Sequence, residues 1–367
     1  MEVKRNNGLD ICRVLSMCGI IGLHVMNAGG VIANTDFLSV QGILMRGLIV
    51  LFYPVVNIFG MMTGWLYISK KEVKNKNLIE LWLAVLFYCF LIVTLFKIIL
   101  PDSVVGIKEY IKVIFPPIQG RYWYITCYTF MFLVIPYINI LLRKLNSMQY
   151  KKLLILLFVL LSIVPTLGMQ DYFRILKGYS PFWLIYCYMV GGYLNLYGSA
   201  IKQSWSKRQM MLVLIASSAG GLISQYIIGV TTLAITGNIS SRTMMFCEYN
   251  SPLMVISAIL VVFTLASEGV KIGKPKFENI LRLLSGGAFG VYILHSHPLV
   301  YNILLSDGFI WTTRKSPLIG MMCVLLSVMA IYCICFAVEL VRIKIFKLCK
   351  ADLLAQKIAA EIDRLVS

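Results

Sequence analysis

Two ionisable side chains stand out in LDICRVLSMCGIIGLHVM at residues 9–26: Arg13 and His24, set in an otherwise apolar run. Eleven residues at about 100° each amount to three turns plus about 20°, so both fall on one face of a helix, about 16 Å apart along its axis. An ionisable group inside a membrane span is costly and is read first as functional. A neutral imidazole at the depth of His24 can serve as general base. Arg13, nearer the start of the run, can meet a phosphate or carboxylate, or snorkel to the interface as an anchor. Asp10, three residues earlier, can pair with it.

Further candidates lie along the chain. Arg46 can bind an anionic group or pair with Asp36. The cluster KKEVKNK at 70–76 offers Lys70, Lys71 and Lys74 to phosphates, or serves as a topogenic loop. In RYWYITCYTF at 121–130, Arg121, Trp123 and Tyr124 can stack on a sugar or form an interfacial aromatic belt. In YILHSHP at 292–298, His295 and His297 cannot share a helical face unless the helix distorts, which Pro298 permits. With no carboxylate beside them they make a poor metal site, and no metal is expected. Glu248 and Glu268 bracket the eighth apolar run, and either can orient a histidine.

These residues need a scaffold. The chain has 367 residues, 59% hydrophobic and only 14% charged, which excludes a soluble domain and implies a polytopic membrane protein. About ten runs reach the ~20 residues that cross ~30 Å of hydrocarbon. They lie at 10–30, 42–68, 78–99, 122–142, 153–169, 182–199, 210–234, 251–269, 284–305 and 317–341. The expected fold is an all-α bundle of about ten transmembrane helices, with the first run a retained span.

The formal net charge of +18 does not imply a nucleic-acid partner, because the basic residues lie in alternate loops. The loops near 4–5, 70–76, 143–152, 202–208 and 271–282, with the segment from Arg342 on, hold 23 of the 34 Lys and Arg; the other loops hold eight. Both termini are therefore expected in the cytoplasm. The ten cysteines show no CxxC or Cys/His spacing and read as buried small hydrophobes. Residues 1–345 are expected to form the membrane domain. Residues 346–367 are expected to form a cytoplasmic tail, with ADLLAQKIAAEIDRLV at 351–366 a short surface helix. The loop GIKEYIKVIFPPIQGR at 106–121 can cover a site or simply connect.

Five blocks in order, LDICRVLSMCGIIGLH, VVNIFGMMTGWLY, RYWYITCYTFMFLVIPYIN, EYNSPLMVISAI and GAFGVYILHSHPL, resemble membrane-bound acyltransferase family 3, the bacterial surface-polysaccharide O-acyltransferases. The resemblance covers residue 9 to about 300. It implies a bacterial cell-membrane enzyme that moves an acyl group, usually acetyl, from cytoplasmic acyl-CoA as co-substrate to a hydroxyl of a cell-surface or lipid-linked glycan. Arg13 and His24 match the family's first-span pair. Lys70, Lys71 and Lys74 stand where many relatives carry arginines, so the charge is kept without the bidentate fork. His24 would act as general base or as covalent acyl relay, with Arg13 and the lysines holding CoA phosphates. Arg46, Arg121, Trp123, Tyr124, His295 and His297 are candidates for substrate contact. A secondary transporter of a polar or lipid-linked solute and a scaffold subunit of a glycan-assembly complex are the competing readings. A homo-oligomer is compatible with all three.

Overall fold

A computed structural model describes residues 5–70, 73–100, 106–114, 122–168, 170–268 and 270–366. Every regular element among them is helical. Helix α1 (Asn7–Met26) is the hub, packed against five neighbours. Its start is set by Asn6, whose side chain accepts from the N–H groups of Gly8 and Leu9. The run at 42–68 divides into α2 (Val40–Phe52) and α3 (Val55–Tyr67), because Pro54 has no N–H to continue the ladder. Then follow α4 (Asn75–Ile99), α5 (Ile107–Ile114) and α6 (Trp123–Lys144). A π-helical turn at 159–163 joins α7 (Ser147–Phe158) to α8 (Val164–Gly168). The helices α9 (Pro181–Ser204), α10 (Lys207–Thr236) and α11 (Pro252–Glu268) complete the middle of the chain. After them come α12 (Pro275–Ser296), the short α13 (Pro298–Val300), α14 (Pro317–Leu348) and α15 (Ala351–Val366).

Each of the ten expected apolar runs falls on a helix or a helix pair. By length and composition, seven described helices can cross a membrane, and an eighth is the pair that bends by 57° after α12. The other two runs differ for physical reasons. Helix α9 has 24 residues but carries four tyrosines, Asn195 and three glycines, and the stretch from Trp183 to Leu194 is largely buried among other helices. Helix α11 is only 17 residues long. The protein is thus a polytopic helical membrane protein.

The basic loops gather at one end of the bundle. There Asn6 and Asn7 donate to the carbonyls of Ala266 and Val270. Arg143 donates to the carbonyls of Ile68 and Lys70, and Asn75 donates to Asp363 of α15. The tail helix, expected at 351–366, lies against α4 with Ala355 and Ala359 buried. The described part of the 106–121 loop is α5, which also packs on α4, where Tyr110 approaches Thr94 and Phe90. Lys71 and Arg121 lie outside the described residues.

The closest helix pair is α3 on α9, and small residues make it possible. A Cβ on Gly64 would stand 1.9 Å from the Tyr188 carbonyl oxygen, and one on Gly191 would stand 1.9 Å from that of Met61. Both distances are inside van der Waals contact with backbone that has no room to move. Gly64→Ala or Gly191→Ala therefore destabilises the bundle by about 1–3 kcal/mol. Thermal unfolding in detergent shows a lowered midpoint for both. Gly47→Ala, whose new methyl meets only a leucine methyl at 4.0 Å, unfolds like the wild type.

Candidate active site

Arg13 is placed by a polar cluster at the basic end. Asp10 is buried at 3% exposure and receives a bidentate pair from Arg5 at 2.7 and 2.9 Å. Ser285 of α12 donates to Asp10 at 2.6 Å and accepts from Arg13 at 2.9 Å. The expected Asp10–Arg13 pair is present but longer, at 3.6 Å. Ser285 thus ties α1 to α12 and holds the guanidinium at the wall of a cavity of about 320 Å³. Lys70 lines the same cavity, its ammonium 4.0 Å over the Tyr67 ring. The remaining wall is mostly apolar, with Thr63, Tyr67, Tyr124, Tyr128 and Tyr292 as polar exceptions. This chamber suits a long, thin, largely apolar arm with an anionic head. Lys74 sits at the cap of α4 and does not line it.

His24 lies three turns along α1, in a second cavity of about 570 Å³. The cavity wall is aromatic: Tyr53, Tyr122, Trp123, Tyr179, Tyr249, Tyr292 and Tyr301 all line it. Exposed Asn27 and Asn302 mark its opening. Trp123 packs 4.5 Å from Tyr179 and stacks at 6.2 Å on Tyr249. Asn57 fixes this wall from behind, donating to the Tyr249 carbonyl at 2.7 Å and accepting from the Trp183 indole at 2.8 Å. Rings offering flat faces, with hydroxyls at their edges, suit a polar ligand carrying apolar C–H faces.

The imidazole of His24 is half-buried, and its Nδ1 is buried with no hydrogen-bond partner among the described residues. Its neighbours are the rings of Tyr301 at 5.0 Å and His295 at 5.1 Å. His295 donates Nδ1–H to the Val291 carbonyl at 2.6 Å, which leaves its Nε2 as a lone pair, with the Ser296 hydroxyl 3.4 Å away. His297 is displaced from this pair. The chain breaks there with φ −60° and ψ 133°, and its Nδ1 accepts the Leu299 N–H at 3.2 Å, so it caps α13. The helix does distort at His297, before Pro298, but the distortion separates the two histidines and does not bring them to one face.

Other expected contacts fall elsewhere. Trp123 and Tyr124 are neighbours on α6 but face different cavities, Trp123 toward His24 and Tyr124 toward Arg13. The Arg46 guanidinium sits 4.4 Å over the Phe37 ring and makes no ion pair with Asp36. Glu248 accepts from Lys177 at 2.8 Å and orients no histidine, and the Glu268 side chain is outside the described set. No three His, Cys, Asp or Glu among the described residues gather at metal-binding positions.

Sequence reasoning missed two features. One is Tyr292, which lines both cavities. The other is Glu339, 2% exposed on α14, which accepts from Tyr88 and from Arg342 at 2.6 and 2.8 Å. A lone carboxylate within the VELVR end of an apolar run was the available signal for Glu339.

No curated protein and no solved structure matches the chain. A family model described as an acyltransferase domain matches residues 6–338, nearly the whole length and both cavities with it. The chain therefore belongs to acyltransferase family 3 and is a membrane acyltransferase.

Proposed function

We propose that this acyltransferase takes an acyl group, acetyl foremost, from cytoplasmic acyl-CoA and passes it to a hydroxyl of a cell-surface or lipid-linked glycan. The membrane would be the bacterial cytoplasmic membrane, with the basic end inside. The observation that carries this reading is the division of labour along α1: Arg13 in a narrow apolar chamber at the basic end, His24 in a wide aromatic chamber at the other. Acyl-CoA is an anionic head on a flexible, weakly polar arm. Arg13 and Lys70 hold its phosphates, and Lys71 and Lys74 of the same basic segment add positive charge. The arm then lies in the apolar chamber with its thioester directed toward Tyr292. A glycan stacks its C–H faces on Trp123, Tyr179 and Tyr249.

The chemistry follows in two forms. As general base, His24 takes the proton of the acceptor hydroxyl, the oxygen attacks the thioester carbonyl, and the C–S bond breaks. The leaving thiolate then takes the proton back from His24. As relay, a His24 nitrogen attacks the thioester, the C–S bond breaks, and the leaving thiolate takes the imidazole N–H proton; the acceptor hydroxyl then displaces the imidazole, which takes the hydroxyl proton. The unpartnered Nδ1 leaves His24 a nitrogen for either form, with the His295 ring 5.1 Å away. A secondary transporter would share the cavities but release no thiol.

Two outcomes are expected from purified protein in nanodiscs given acetyl-CoA. His24→Ala lowers the rate of free-thiol release by about 10²–10⁴-fold while the fold is retained; a full rate in this variant contradicts both forms. Arg13→Lys keeps the charge but loses the fork that grips an oxyanion and Ser285 together. Its kcat/KM for acetyl-CoA falls about 10–100-fold, chiefly through KM, as measured by saturation kinetics.

A further inference from the structure

The donor and acceptor chambers share one lining residue among those described, Tyr292. At that point a single side chain faces both chambers. The Tyr292 ring is 6% exposed and is held by Tyr124 at 5.9 Å, Tyr122 at 6.1 Å and His295 at 6.1 Å. Behind it, α12 packs on α14. A Cβ on Gly290 would stand 2.0 Å from a Glu339 carboxylate oxygen, so α12 is seated directly on α14 at this level. The next residue, Ile293, is also pinned, its carbonyl accepting from the Tyr122 hydroxyl at 3.1 Å. What remains free to move is the Tyr292 side chain, by rotation about its own torsions.

From this geometry we infer that Tyr292 is the specificity-determining partition of the enzyme. Its ring limits the size of the acyl group that reaches His24 and keeps water of the acceptor chamber off the waiting thioester. The inference rests on the donor and acceptor assignment above. In this reading the passage between the chambers is set by the position of that one phenol ring. Short acyl groups pass and longer ones stall, and each extra methylene carries its own penalty. Excluding water matters because a thioester beside an imidazole and a wide wet cavity would be hydrolysed without an acceptor. The bulk of the ring, not its hydroxyl, does this.

The test compares wild type, Tyr292→Phe and Tyr292→Ala in nanodiscs, given acetyl-, butanoyl- or hexanoyl-CoA without acceptor. Tyr292→Ala raises the hexanoyl-to-acetyl ratio of thiol release about tenfold and increases acetyl-CoA hydrolysis. Tyr292→Phe keeps the wild-type acyl preference. A second readout needs no activity. In inverted vesicles, a small cationic methanethiosulfonate is applied at the basic end to chains carrying Ser296→Cys, a position in the His24 chamber. Labelling, located by peptide mass spectrometry, is weak with Tyr292 or Phe and strong with Ala. A folded Tyr292→Ala protein with unchanged acyl ratio and unchanged labelling overturns the inference, as does a Phe variant that behaves like Ala. If none of the three donors binds wild type saturably and Tyr292→Ala releases thiol from none of them, the acyl-CoA reading fails, and the labelling alone decides whether Tyr292 separates the chambers.

Discussion

Helix α1 carries an aspartate, an arginine and a histidine into a bundle whose surroundings are apolar, and the rest of the structure is arranged to make that tolerable. A carboxylate without partners in such a setting would be strongly destabilising. Asp10 therefore receives Arg5 on one side and Ser285 on the other. The same serine accepts from Arg13, so satisfying the aspartate also aims the arginine at the donor cavity. Helix α12 is thereby fixed in register against α1, and that register places Tyr292 between the cavities and His295 beside His24. One interaction, Asp10 with Ser285, thus connects the start of the chain to both chambers. His24 is treated in the opposite way: its Nδ1 has no hydrogen-bond partner among the described residues, in keeping with the proposed exchange of a proton or an acyl group.

The remaining polar groups of the interior do a related task at the far wall. Asn57 spends both ends of its amide on holding the Tyr249 segment and Trp183, so the aromatic face opposite His24 is rigid. Glycines then allow the helices bearing these groups to approach: Gly64 and Gly191 for α3 and α9, Gly290 for α12 against α14. In a membrane, where lipid and leucine are equally apolar, such close packing and these few hydrogen bonds supply much of what burial supplies in water.

Much of this was legible in the residue order. The Arg13–His24 stripe, the apolar runs and the alternation of basic loops follow from helical periodicity and from the cost of charge in lipid. Pro298 marked a place where the helix could distort, and the break falls at His297 just before it. The cavities were not legible, because a void belongs to five helices at once and no local pattern encodes it. For the same reason Trp123 and Tyr124, adjacent in one motif, gave no sign that they face different chambers. Arg46 next to Asp36 suggested an ion pair, yet the guanidinium lies on the Phe37 ring, since chain proximity does not fix which neighbour a long side chain meets. Tyr292 passed unnoticed because a tyrosine in an apolar run is unremarkable until the space on both its sides is known.

The central claim is that a donor entering past Arg13 and an acceptor entering past Asn27 meet at the level of Tyr292. The most direct measurement is a cryo-EM structure of the full chain in nanodiscs with a non-cleavable thioether analogue of acetyl-CoA. The account places the analogue's phosphates at Arg13 and Lys70, its pantetheine arm along Met17, Ile20 and Phe59, and its acyl end against Tyr292 on the side facing His24. An analogue bound in the aromatic chamber by way of Asn27 and Asn302, or an Arg13 cavity that stays empty at saturating concentration, would contradict it.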